Sequence, residues 1–116
     1  MAERIPLYQE IHQMHAGICS ALADPVRILL LYALKGQPYS VKELAAALEI
    51  SQPLASRHLK ILRERNLVSA ARRGVSVEYS LNDPRLIQAL DLLRDVLRAG
   101  LVHQVSLIDT LSPASI

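Results

Sequence analysis

The sequence holds 116 residues, 51% of them apolar and 21% charged, with a formal net charge of +2 and a pI near 8.9. That length suits one domain spanning 1–116, and the apolar content excludes a chain too polar to fold. The small net charge neither requires nor excludes a nucleic-acid partner, so the placement of the charges decides. Cys19 is the single cysteine, which rules out an internal disulfide. No apolar run approaches the length of a membrane span, and no secretory signal is legible at the start. These features set the expectation of a soluble, cytoplasmic protein with no membrane partner.

The chain is punctuated into helices. Leu7, Ile11, Met14, Ile18 and Leu22 make one helical stripe, predicting a first helix over 7–23. Asp24-Pro25 ends it and begins the next, with Asp24 as N-cap and Pro25 at the first helical position. The second helix runs to about Lys35 and is apolar nearly all round from Ile28 to Leu34, as a central helix is. Gly36 and Pro38 stop it. Ser40 with Glu43 three residues on has capping-box spacing and opens a short third helix ending near Leu48. Ser51 caps a fourth helix to about Arg65, and Asn66 stands where a left-handed residue ends a helix.

Two β-prone runs follow, Leu67 to Ala71 and Val75 to Leu81, with Arg72-Arg73-Gly74 as the turn between them. Val75, Val77 and Tyr79 alternate with polar residues, the pattern of a half-buried strand. Asp83-Pro84 begins a last helix over about 84–108, striped by Leu86, Leu90, Leu93 and Leu97 and weakened at Gly100. The fold class is therefore mainly α with a small β-hairpin, in the order α-α-α-α-β-β-α: a helix-turn-helix over 40–65, a hairpin wing over 67–81 and flanking helices at both ends.

Helices three and four are joined by a very short turn, and the second helix of such a pair can lie in the major groove. After the cap Ser51, the residues Gln52, Pro53, Ser56, Arg57 and Lys60 share one outward face of the fourth helix. That face has no acid and no large apolar group; its amide, hydroxyl, guanidinium and ammonium are the groups that read base edges and hold phosphates. Leu54, Ala55, His58, Leu59 and Leu62 turn inward, with His58 expected as a packed, hydrogen-bonded residue. A polar face with two cations is in other proteins simply a solvated face. Here Arg72 and Arg73 put two more cations on a ribbon directly downstream, where they can lie along the phosphates or the minor groove.

From Leu22 to Asp83 the sequence resembles the ArsR family of winged helix-turn-helix repressors. The resemblance rests on Leu22-Ala23-Asp24-Pro25-Val26-Arg27-Ile28-Leu29 at the start of the second helix and on Ser51 to Leu62 in the recognition helix. Asn66-Leu67-Val68, Arg72-Arg73-Gly74 and Val77-Glu78-Tyr79-Ser80-Leu81 match in the wing. It implies a homodimer built on the first and last helices through Ile11, Met14, Ile18, Leu90, Leu93 and Leu97. It further implies double-stranded DNA as partner, with paired recognition helices on a near-palindromic operator, and repression relieved by a small effector. The metal-sensing arrangements known in the family are not matched. The third helix, Val41 to Leu48, has no cysteine; Asp83 matches an aspartate ligand, but its histidine partners fall on Arg85, Val96 and Ala99; and one cysteine cannot form a dithiol switch within a chain.

One ligand-type constellation remains: His12, His15 and Cys19 at i, i+3 and i+7 of the first helix, which His103 would join if the terminal helices pack together. Lone His and Cys residues on a semi-apolar face are more commonly core or interface, so no cofactor is expected. An enzyme is disfavoured, because no phosphate-binding glycine loop, nucleophile elbow, His-Glu-x-x-His or paired carboxylate face is present. The alternative is a winged-helix protein-interaction module, but such a surface would carry aromatic and apolar anchors where Gln52, Ser56, Arg57 and Lys60 stand.

Overall fold

A computed structural model describes residues 6–111, which divide at Asp83-Pro84 into two compact units. The first unit begins with α1 (Leu7–Met14), which runs on through a π-helical turn, His15–Cys19. The π turn bonds Ser20 N–H to the His15 carbonyl, and nothing in the side-chain periodicity announces it. Asp24 then caps α2 (Pro25–Ala33) as its sequence predicts, its Oδ1 accepting the Val26 N–H at 2.8 Å. Leu30 and Leu31 of α2 are fully buried, as a central helix requires, but Leu29 is 54% exposed, so the apolar run is not covered all round.

The expected two-stranded wing is in fact part of a three-stranded antiparallel sheet of order β1-β3-β2. The additional strand, β1 (Tyr39–Ser40), is two residues long and pairs Tyr39 with Tyr79 and Ser40 with Glu78 of β3 (Ser76–Leu81). β2 (Val68–Arg73) pairs with β3 down to Arg73↔Ser76, so the connecting loop is the two residues Gly74-Val75. Arg72 and Arg73 therefore belong to the strand rather than to the turn. Gly74, at φ 62°, supplies the left-handed residue that a two-residue hairpin needs at its first central position. Val75, expected among the inward residues of β3, is fully exposed in that loop.

α3 (Val41–Leu48) opens on a complete capping box. Ser40 Oγ accepts from the Glu43 N–H at 3.2 Å, and Glu43 Oε1 accepts from the Ser40 N–H at 2.9 Å. α4 (Gln52–Glu64) packs on α2 and α3 through Ala55, Leu59 and Leu62, all fully buried. The second unit is α5 (Arg85–Leu111), a single helix that continues through Gly100. Among the described residues no helix is long and apolar enough to cross a membrane.

Candidate nucleic-acid interface

The same backbone device brackets α4 at both ends. Glu49 takes a left-handed conformation (φ 56°, ψ 45°) after α3, the Ile50 N–H reaching the Ala45 carbonyl at 3.0 Å and Glu49 N–H the Ala46 carbonyl at 3.2 Å. Asn66 (φ 62°) repeats it after α4, with Leu67 N–H on the Leu62 carbonyl at 2.9 Å and Asn66 N–H on the Arg63 carbonyl at 3.0 Å. Both are six-to-one and five-to-two bond pairs that close a helix C-terminus and turn the chain sharply. The first sets the angle between α3 and α4; the second delivers the chain into the wing. Asn66 was legible from its residue type, whereas Glu49 was not, since glutamate carries no preference for positive φ.

At its start α4 is capped by Ser51, whose Oγ accepts the Leu54 N–H at 3.2 Å. Gln52, Pro53, Ser56, Arg57 and Lys60 are all exposed, as is Ser51, while Ala55, His58, Leu59 and Leu62 are buried. The two faces separate as the periodicity requires. The exposed face combines donors of four kinds with the positive end of the helix dipole, an arrangement suited to phosphate and base edges.

His58 holds the inner side of α4. The residue is 8% exposed, and Nδ1 lies 3.1 Å from Arg27 Nη1. A guanidinium only donates, so Nδ1 is the acceptor and the ring proton sits on Nε2. Arg27 also donates from Nε to the Ala21 carbonyl at 2.6 Å and from Nη2 to the Ser20 carbonyl at 3.4 Å. One guanidinium thus joins the end of the first helical segment, the first turn of α2 and the recognition helix.

The wing stands beside the recognition helix. Asn82 secures its base: its Nδ2 donates to the Asn66 carbonyl at 2.7 Å, and Ser69 Oγ donates to its Oδ1. Arg72 and Arg73 are exposed near the tip; Arg73 Nε is 3.6 Å from Glu78 Oε1, a solvent-screened pair worth little energetically. Strand alternation puts Arg72 on the opposite face of the ribbon from Arg73. Lys42 of α3 and Ser76 and Tyr79 of β3 also converge with Ser56 around a cleft of about 360 Å³. None of the three has a sequence signal, because the convergence depends on β1 pairing with β3.

The ligand-type constellation is not assembled. His12, His15 and Cys19 are exposed, and the His12 ring lies against Tyr8 at a centroid distance of 4.4 Å, tilted by 48°. Among the described residues no group of three His, Cys, Asp or Glu side chains is placed to hold a metal ion. His103 lies in the second unit and is exposed. Along the apolar stripes, Ile11, Met14, Ile18, Leu93 and Leu97 are exposed, but Leu90 is 4% exposed.

Two short helices in a fixed crossing, the second presenting a polar face beside a basic two-stranded ribbon, define a winged helix-turn-helix. Residues 24–70 match the model of the bacterial regulatory proteins of the arsR family. The HTH-type transcriptional regulator NmtR of Mycobacterium tuberculosis is 37% identical over 86 residues, 74% of this chain and 72% of the relative. A transcriptional repressor SmtB homolog of Synechocystis is 43% identical over 84 residues, 72% of this chain but 61% of the relative. The solution structure of a homodimeric winged helix-turn-helix DNA-binding domain from Mycobacterium bovis superposes with a TM-score of 0.73 at 25% identity, covering 89% of this chain and 95% of that one. The chain belongs to the arsR family of bacterial regulatory proteins, and it is a DNA-binding transcriptional regulator.

Proposed function

We propose that the protein is a homodimeric repressor that binds a near-palindromic operator and releases it in response to an effector. The observation that carries this reading is the exposed polar face over the first turns of α4, Gln52 to Lys60, which begins at the capped helix start and stands beside the basic wing. In the proposed complex each recognition helix enters a major groove, the two grooves roughly 34 Å apart. Gln52, Ser56 and Arg57 reach bases or nearby phosphates; Ser51, Pro53, Lys60, Arg72 and Arg73 hold the helix start and wing against the backbone. A second copy covers the exposed stripes through Ile11, Met14 and Ile18 on the first helical segment and Leu93 and Leu97 on α5. Large apolar side chains left exposed along a helical stripe favour association with a second copy. The homodimeric mycobacterial domain and the named repressors among the relatives support the same reading.

The deciding experiment is selection of bound fragments from the source genome at about 150 mM salt, where weak electrostatic binding is suppressed. The expected result is one enriched near-palindromic site, lost with Arg57→Ala. Absence of enrichment, together with capture of a protein partner through the α4 face, would replace the repressor with an interaction module.

A further inference from the structure

The cleft beside Ser56 is bounded by three elements that the β1–β3 pairing draws together: the start of α3, the middle of α4 and the wing strand β3. Its lining combines Val41, Val77 and Tyr79 with one cationic residue, Lys42, and three serines, Ser40, Ser56 and Ser76. No acid lines it. Of the neighbouring carboxylates, Glu43 accepts the Ser40 N–H at 2.9 Å and Glu78 lies 3.6 Å from Arg73 Nε. Ser40 Oγ accepts a bond from Glu43 N–H and keeps its own proton for donation.

A cation and hydroxyl donors beside apolar side chains match one unit of a nucleic-acid backbone, in which charged phosphate oxygens flank a largely apolar deoxyribose. Ser56 belongs both to this lining and to the outward face shared with Gln52 and Arg57. An occupant touching it is therefore continuous with whatever α4 binds. Resting on the DNA-binding reading above, we infer that the cleft seats a single backbone phosphodiester of the bound duplex. Lys42 and Ser56 contact the phosphate, and Val41 and Val77 lie against the adjoining sugar. The wing and the recognition helix are thereby locked to one backbone position, which fixes the register in which Gln52 meets the bases.

The test is the salt dependence of binding to random-sequence duplex DNA by the full chain. Lys42→Ala is expected to lower the slope of log K against log salt by about one, Lys42→Arg to keep it, and Lys35→Ala to leave it unchanged. On the duplex selected from the genome, single phosphates are then replaced by neutral methylphosphonates. One position is expected to weaken the unmodified protein and to have no further effect on Lys42→Ala. An unchanged slope for Lys42→Ala, or losses that add at every position, overturns the inference. If inorganic phosphate shifts the Lys42 and Ser56 amide resonances saturably while the Lys42→Ala slope stays unchanged, the cleft is a free-anion site instead. A protein on which neither Lys42→Ala nor Arg57→Ala alters DNA binding would reject the DNA-binding reading itself, a result distinct from failure at Lys42 alone.

Discussion

Arg65, at the end of the recognition helix, donates from Nη1 to the carbonyl oxygen of Ala16, 49 residues away, at 2.8 Å. Ala16 lies inside the π turn, and the same oxygen accepts Ser20 Oγ at 2.5 Å. The irregular turn is thus coupled to α4 by a side chain whose sequence position gives no sign of that role. Arg65→Ala is expected to lower stability by about 1 kcal/mol, the usual net value of one hydrogen bond, with little change in the salt slope of DNA binding. Urea unfolding and a salt titration on the same variant separate the two effects. A slope reduced as much as that of Arg72→Ala would make Arg65 a phosphate contact instead.

Arg27 and His58 make the stronger brace, because His58 is buried and Arg27 serves three acceptors at once. Removing Arg27 takes the donor from the His58 ring nitrogen and the Ala21 carbonyl, while the Ser20 carbonyl keeps the Ala23 N–H at 3.3 Å. Arg27→Ala is expected to cost roughly 1–3 kcal/mol. Arg27→Lys is expected to recover only part, since a compact ammonium does not reproduce the fork of a guanidinium. A shift of the urea midpoint at constant m-value measures this. Full recovery by lysine would mean that charge at this position matters and fork geometry does not.

The elements that were legible are those set by neighbours in sequence. Ser40 with Glu43, Asp24 with Pro25, Ser51 and Asn66 act through bonds to backbone a few residues away, so residue type and spacing suffice. The polar face of α4 was legible for the same reason, as a helix of known phase separates its faces by arithmetic. The rest depends on partners distant in sequence. β1 exists because Tyr39 and Ser40 meet Tyr79 and Glu78. Arg72 and Arg73 extend β2 because the register closes on a two-residue loop. Leu90 and Leu93 lie on one stripe, yet one is buried and the other is 61% exposed. The cleft around Lys42 follows from the first of these and was equally hidden.

The contrast along α5 gives a prediction of its own. Leu90→Ala removes a side chain already buried within the chain and is expected to destabilise by about 2–5 kcal/mol. Leu97 is 62% exposed, so Leu97→Asp is expected to leave the helical content in place and to dissociate the proposed dimer. Sedimentation equilibrium reads the second effect and thermal unfolding the first. A Leu97→Asp protein that stays dimeric at low micromolar concentration would move the association surface off this stripe.

Arg72 and Gln52 are expected to fail in different ways. Arg72 is exposed on the wing strand, two residues from the loop glycine, where a guanidinium meets phosphates that are the same in every sequence. Arg72→Ala should weaken binding to specific and random duplexes alike and reduce the salt slope by about one. Gln52 is the first residue of the recognition helix, and its amide can pair with an adenine edge. Gln52→Ala should leave the salt slope nearly intact and relax discrimination at one base pair of each half-site, at a cost of about 1–3 kcal/mol on the preferred base. Repeating the fragment selection with each variant measures the difference directly. Equal losses on every sequence for Gln52→Ala would make it a backbone contact and shift base reading to Ser56 and Arg57.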